Sequence, residues 1–153
     1  MKIKDTPFKT LASKEWLLTN GIGGYASTSI SGMNTRRYHG LLVASKNPPT
    51  QRQVLISGIG ESISERRDTF IEISTNRYPG AIHPKGYEYL TEFQRDPFPQ
   101  STFQIGHQEL TKTAFMVYGS NTTILEYKNT GKSAYSLGSV SYTHLTLPTN
   151  REV

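Results

Sequence analysis

The sequence predicts an all-β protein, specifically an antiparallel β-sandwich of the supersandwich type. Apolar and polar residues alternate in three segments, which is typical of strands that bury one face, around Ile71 and Ile73, Phe103 and Ile105, and Leu125 and Tyr127. No window of eleven residues carries the apolar stripe of an amphipathic helix. Glycine or proline interrupts nearly every connection. We therefore expect short strands joined by turns.

The first third of the chain contains further strand signals. A short apolar segment at residues 16–18 stops at Asn20-Gly21, and residues 25–30 are rich in Ser, Thr and β-branched side chains. Residues 41–43 form a continuous apolar run, which predicts a strand buried on both faces. Asn47-Pro48-Pro49 should end that strand, because proline cannot donate to a β-ladder. Another apolar run follows at residues 54–56.

Residues 76–99 combine prolines, glycines and aromatic residues in a polar background. This composition is too polar for a core segment and too aromatic for a disordered one. We expect an ordered loop that packs across the sheet or over a neighbouring domain.

Composition narrows the possible functions. The formal net charge is +5, but the basic residues are scattered and pair only at Arg36-Arg37 and Arg66-Arg67, so no nucleic-acid partner is expected. The absence of cysteine excludes disulfides and thiolate metal sites. No stretch approaches the roughly 18 apolar residues of a membrane span, and no signal-peptide pattern precedes residue 14. A cytoplasmic protein without membrane partners is expected.

The segment Gly21-Ile22-Gly23-Gly24-Tyr25-Ala26 satisfies the permissive form of a dinucleotide-binding fingerprint. That fingerprint requires a following helix and an acidic residue roughly 20 positions later. Here the next residues resemble a strand, and neither Asp nor Glu occurs between Glu15 and Glu61. We therefore interpret the glycines as residues of a tight turn, and we expect no nucleotide or other cofactor.

A polar cluster follows at residues 34–40, and it supplies the candidate site residues Asn34, Arg36, Arg37, Tyr38 and His39. Guanidinium donors, a phenol and an imidazole could bind sugar hydroxyls or carboxylates. Alternatively, they could fix loops or a domain interface through charge-assisted hydrogen bonds. If the segment is a strand, Arg36 and Tyr38 lie on one face while Arg37 and His39 lie on the other.

No catalytic centre can be assembled from the sequence. Carboxylates are present, but their spacing brings no two of them together across a scissile bond, and most should lie on solvated surfaces: Glu61, Glu65, Glu72, Glu88, Glu92, Asp96 and Glu109. The histidines at positions 39, 83, 107 and 144 lack metal-ligand spacing, so no metal is expected. No serine has the two flanking glycines of a nucleophile elbow, G-x-S-x-G.

The C-terminal residues break the pattern. VSYTHLTLPT, at residues 140–149, resembles a translation of the transposon-end adapter used to prepare sequencing libraries. We expect the natural segment to end near Gly138, with residues 1–138 forming a partial domain and residues 139–153 an artefactual tail. His144 would then have no functional meaning, and the sandwich would be incomplete because the chain is truncated.

Several long segments, in the right order, resemble the N-terminal domain of bacterial and archaeal glycogen debranching enzymes. The resemblance covers about residues 16–137 and is carried by EWLLTNGIGGYAS at 15–27, NTRRYHGLLVA at 34–44, Pro48-Pro49, STNRYPGAIHPKGYEYLTEFQRDPFP at 74–99, and residues 115–123.

This resemblance implies a parent amylo-α-1,6-glucosidase with an N-terminal β-sandwich and a C-terminal (α/α)₆ barrel that carries the catalytic carboxylates. None of those catalytic positions lies in this chain. The family's NTRRYHG segment matches residues 34–40, which favours a position near the substrate cleft or the catalytic domain. The expected partners are therefore the (α/α)₆ domain and an α-glucan such as glycogen, and the fragment alone should be inactive. A purely structural interface domain without glycan binding is the alternative.

Overall fold

The computed structural model describes residues 1–143. One short helix, α1 (Phe8–Ser13), precedes the strands β1 (Glu15–Thr19), β2 (Tyr25–Ser29), β3 (Gly40–Asn47), β4 (Thr50–Ile56), β5 (Gly58–Arg66), β6 (Thr69–Glu72), β7 (Thr75–Tyr78), β8 (Ala81–Lys85), β9 (Leu90–Gln94), β10 (Gln100–Ile105), β11 (Gln108–Met116), β12 (Thr123–Asn129) and β13 (Ser136–Tyr142). A 3₁₀ turn, Gly86–Tyr89, connects β8 to β9. The predicted all-β class is confirmed.

Every pairing between these strands is antiparallel. Two four-stranded sheets have the orders β1-β2-β3-β4 and β12-β11-β10-β9. A three-stranded sheet, β13-β5-β6, and the β7–β8 hairpin complete the described part of the chain. Short turns join most neighbouring strands, as glycine and proline positions predict.

The core forms where the two four-stranded sheets and β5 meet. Trp16 and Leu41 belong to the first sheet, Phe103 and Leu110 to the second, and Ile63 to β5, and all lie in one buried cluster. In β1 the alternation is sharp, since Trp16 is 8% exposed and Leu17 is 62% exposed. One face of the edge strand therefore faces the core, and the other exposes Leu17 between Glu15 and Thr19.

The predicted burial of β3 on both faces is confirmed. The adjacent residues Val43 and Ala44 point to opposite sides of the strand, and both are buried. The alternation predicted in β10 and β12 is also present, with Phe103 and Ile105 buried between exposed or half-buried neighbours.

One local expectation was wrong, and one element was not predicted. Residues 76–99 do not form a loop, because they contain most of the β7–β8 hairpin, the 3₁₀ turn and β9. The segment before residue 14 contains α1, whose Leu11 is fully buried. A helix of six residues is too short to be stable alone, so packing of Leu11 rather than helix propensity explains it. Neither feature has a periodic signal in the sequence.

The boundary expected near Gly138 falls inside β13, which pairs with β5 from Ser136↔Ser64 to Tyr142↔Gly58. Apart from Tyr142, the residues of β13 are exposed, so backbone hydrogen bonds rather than side-chain packing hold the strand. The division into residues 1–138 and 139–153 stays a prediction. His144 lies outside the described residues.

Candidate functional site

The glycine loop between β1 and β2 is a tight turn organised by Asn20. Oδ1 of this buried side chain accepts hydrogen bonds from the backbone N–H of Ile22 at 3.1 Å and of Gly24 at 2.9 Å. Gly21 and Gly23 have φ angles of 81° and 99°, which side chains rarely adopt. A strand follows the loop, as expected, so the helix that a dinucleotide site requires is missing here.

A second asparagine, Asn121, joins this loop to the other sheet. Its Oδ1 accepts from Nδ2 of Asn20 at 3.1 Å and from the backbone N–H of Ser45 at 3.1 Å, while its Nδ2 donates to the Ser45 carbonyl at 2.9 Å. Nearby, Thr123 Oγ1 donates to the Leu41 carbonyl at 2.7 Å. The glycine loop, β3 and the β11–β12 connection therefore form one hydrogen-bonded unit.

The segment from Asn34 to His39 is a turn, which corrects the strand geometry considered from the sequence. The backbone N–H of His39 donates to the Arg36 carbonyl at 3.1 Å and closes the turn. As a result, Tyr38 and His39 do not lie on opposite faces. Both side chains reach the carboxylate of Glu15 at the start of β1.

His39 is completely buried and acts as a structural centre of the turn. Its Nδ1 accepts from the backbone N–H groups of Thr35 at 2.9 Å and Arg36 at 3.2 Å, so this nitrogen carries no proton. The proton is therefore on Nε2, which lies 2.5 Å from Oε2 of Glu15 and donates to it. The imidazole therefore accepts at one nitrogen and donates at the other, and it fixes the turn rather than facing a ligand.

Glu15 accepts a second hydrogen bond at its other oxygen. Tyr38 Oη donates to Oε1 at 2.7 Å. This bond, followed by that from His39, holds the pKa of the Glu15 carboxyl below its ordinary value, because both donors favour the ionised form. Conversely, the same bond raises the pKa of the Tyr38 phenol.

The other three predicted residues do not join this cluster. Asn34 accepts from Thr28 Oγ1 at 2.8 Å and donates to the Ser57 carbonyl at 2.8 Å, so it connects β2 to the β4–β5 junction. Arg36 and Arg37 are exposed, and their guanidinium groups form no hydrogen bond or ion pair with other residues in the described part of the chain. They remain available as donors at the surface.

Beside Tyr38 lies a surface groove of about 550 Å³ with mainly apolar walls. The groove is lined by Leu17, Thr19, Gly21, Gly23, Gly24, Tyr25, Tyr38 and Arg52. Tyr38 is 49% exposed, and Tyr25 Oη donates to its carbonyl at 2.7 Å. Arg52 Nε donates to the Gly23 carbonyl at 2.7 Å, which holds the glycine loop against β4.

One further aromatic residue stands at the edge of this groove. A Cβ built on Gly21 would lie 2.4 Å from Cε2 of Tyr118, so the tyrosine ring packs directly on the glycine. Tyr118 is 87% exposed, which leaves most of the ring uncovered. Glycine is favoured at position 21 by its φ angle of 81°, and the absence of a side chain there allows the tyrosine ring to approach the loop.

Sequence reasoning missed Leu17, Tyr25 and Arg52 as groove residues, and Tyr118 at the edge of the groove. The alternation in β1 could have indicated Leu17, because Trp16 must be its buried neighbour. No local pattern places Arg52 or Tyr118 near the glycine loop, since both come from strands or turns that are distant in sequence. None of the residues lining the groove is a carboxylate or histidine, so its chemistry is that of binding by apolar contact and hydrogen bonds.

Within residues 1–143, no helix is long and apolar enough to cross a membrane.

Comparison with known proteins found no matching curated protein and no matching solved structure. The model of one family, described as glycogen debranching enzyme N terminal, matches residues 14–144. This match includes the glycine loop, the turn at residues 34–39 and the strands that form the groove, and the chain therefore belongs to that family.

Proposed function

We propose that this chain is the non-catalytic N-terminal module of a glycogen debranching enzyme, and that its groove contacts an α-glucan. The parent enzyme would hydrolyse α-1,6-glucosidic branch points with carboxylates of a separate (α/α)₆ domain. Family membership supports the first part of this proposal. Contact with a glucan, the second part, rests on one observation: the half-exposed ring of Tyr38 lies in an apolar groove that also contains the cationic donor Arg52.

The groove suits the surface chemistry of a sugar ring. The C–H face of a glucose unit is apolar and can pack on Leu17 and on the ring of Tyr38, as aromatic side chains combine an apolar body with a polar end. Hydroxyls at the rim of the ring can accept from Arg52 or from the nearby Arg36 and Arg37. A neutral glucan requires no charged counterpart, which agrees with the absence of carboxylates from the groove lining.

The proposal also includes docking on the catalytic domain. Exposed apolar residues at the β11–β12 end, Val117, Tyr118 and Ile124, provide an uncovered surface next to the groove. Contact between these residues and the (α/α)₆ catalytic domain would place the groove at the rim of that domain's substrate cleft.

A cytoplasmic location is part of the same proposal, because a chain without cysteine needs no oxidising compartment.

Affinity electrophoresis of the full chain in gels containing glycogen or maltooligosaccharides tests glucan contact. Retarded migration is expected for the native protein and for Tyr38→Phe, which keeps the ring. Tyr38→Ala should migrate freely. Phe70→Ala is the matched control, because Phe70 is an exposed aromatic residue of β6 outside the groove lining.

Unchanged mobility of the native protein in every gel would contradict glucan contact. The alternative, a purely structural interface domain, predicts that result together with improved folding yield when the (α/α)₆ domain is added in trans. Tyr118→Ser should weaken that improvement, whereas Phe70→Ser should not.

A further inference from the structure

A buried polar cluster lies in the interior, separate from the groove. Glu61 of β5 is 3% exposed. Lys112 Nζ of β11 lies 2.6 Å from its Oε1, and Tyr127 Oη of β12 donates to the same oxygen. Burial of a carboxylate is costly unless it is paired, so this cluster joins the β5 sheet to the second four-stranded sheet through three side chains.

Glu61 and Lys112 line a cavity of about 90 Å³ between the sheets. Trp16 and Phe103 contribute apolar walls, and Asn76 contributes an amide. At roughly 30 Å³ per water molecule, this space holds about three waters or one molecule of similar volume. A chain of glucose units is too large to enter it.

The two charged groups retain unused hydrogen-bonding capacity towards this space. Both contacts of Glu61 are made to Oε1, and no residue among 1–143 donates a hydrogen bond to Oε2. In the described residues, Nε2 of Gln108 is the only side-chain N or O atom that is both fully buried and without a hydrogen-bond partner. Oε2 of Glu61 also has no partner among these residues, so this atom must be accessible to open space. An ammonium has three N–H donors, and Lys112 contacts Glu61 as an ion pair.

We propose that this cavity binds the adjacent hydroxyl groups of a small polyol or of the hydroxymethyl end of a sugar. A hydroxyl is both donor and acceptor, so it can donate to Oε2 of Glu61 while it accepts from Nζ of Lys112. A simple anion would be repelled by the carboxylate, and a simple cation by the ammonium. This inference does not depend on glucan contact at the groove.

The test uses the full chain and the indole N–H signal of Trp16 in NMR titrations. Trp16 is the single tryptophan and lines the cavity, so it reports local binding. Glycerol and glucose are the two probes, and betaine, which lacks hydroxyls, controls for effects of the cosolute. We expect a saturable shift with glycerol; a shift with glucose as well would identify sugar ends as ligands.

Two variants make the assignment specific. The double variant Glu61→Leu with Lys112→Met removes both charges and is made in a Tyr127→Phe background, so that no buried phenol loses its acceptor. It should fold, because apolar replacement of a buried polar cluster is often neutral or stabilising. Its affinity for glycerol should fall at least about tenfold. Tyr38→Ala should retain the native shift even if it no longer binds glycogen, so failure at the groove and failure at the cavity are distinguishable. Absence of any saturable shift in the native protein, or native affinity in the double variant, would overturn the proposal.

Discussion

Asn20 and Asn121 are 101 positions apart, yet Nδ2 of Asn20 donates to Oδ1 of Asn121 at 3.1 Å. The same Nδ2 also donates to the Ser120 carbonyl at 3.0 Å, and Oδ1 of Asn20 caps two N–H groups of the glycine loop. One pair of side-chain amides, the buried Asn20 and the half-buried Asn121, therefore fixes the loop that forms a wall of the groove. The conformation of the loop depends on a residue from the far end of the fold.

Asn121→Ala should lower the free energy of unfolding by about 2–3 kcal/mol, because it removes the acceptor of one Asn20 N–H and both side-chain partners of the Ser45 backbone. Urea denaturation measures the change. Asn129→Ala is the control, since the Asn129 side chain bonds only within its own exposed turn, and it should cost less than about 1 kcal/mol. Equal losses in both variants would contradict the role assigned to Asn121.

Gly24→Ala should destabilise the protein by about 1–3 kcal/mol, because overpacking of an enclosed site forces neighbouring groups to shift. A Cβ at this position would lie 2.4 Å from Nδ2 of Asn20 and 2.8 Å from Oδ1 of Asn121. Gly60→Ala in β5 is the matched control, because its nearest contacts would be 3.7 Å away. Thermal denaturation that shows Gly24→Ala to be as stable as Gly60→Ala would refute the close approach.

Glu15→Gln tests the carboxylate that holds Tyr38 and His39. The folded-state pKa of Glu15 is lowered, so its contribution to stability is present above the ordinary value of 4.5 and is lost as pH falls through the lower, folded-state pKa. We expect the variant to be about 1 kcal/mol less stable at pH 7, a modest value because the carboxylate is partly exposed.

The difference in stability between the native protein and Glu15→Gln should begin to shrink as pH falls below 4.5. It should be smallest below the lower, folded-state pKa, where Glu15 is protonated and uncharged like glutamine. Urea titrations at a series of pH values measure it. A difference that is constant across this range would show that ionisation of Glu15 contributes nothing to the turn.

Tyr127→Phe tests the interior cluster at alkaline pH. Burial, followed by the charge of Glu61 and its hydrogen bond, raises the pKa of Tyr127 above the ordinary value of 10.0. A raised pKa means that stability is fully present below pH 10.0 and is lost as pH increases above it, because the unfolded state releases its proton first. The native protein should therefore lose stability more steeply above pH 10 than Tyr127→Phe.

Tyr118→Phe is the control for that experiment, because it changes a mostly exposed tyrosine. Its pH dependence should match that of the native protein. Parallel curves for the native protein and Tyr127→Phe would contradict burial of the phenol beside Glu61.

The sequence by itself determined the all-β class, the approximate positions of β2, β3, β4, β6, β10 and β12, and the double burial of β3. These features depend on local patterns, since side chains alternate across a strand and proline or glycine ends it. The strand that follows the glycine loop was also indicated locally, by the Ser, Thr and β-branched residues at 25–30. The long matching segments determined the family.

Tertiary structure alone decided which side chains meet. The sequence suggested that Tyr38 and His39 would diverge, but the turn brings both to Glu15, and it leaves Arg36 and Arg37 free at the surface. In the sequence, nothing distinguishes Glu61 from the exposed carboxylates. Pairing of strands that are distant in sequence buries it beside Lys112. The physical reason is that hydrogen bonds and burial depend on strand pairing across tens of residues, whereas alternation reports only which face a residue occupies.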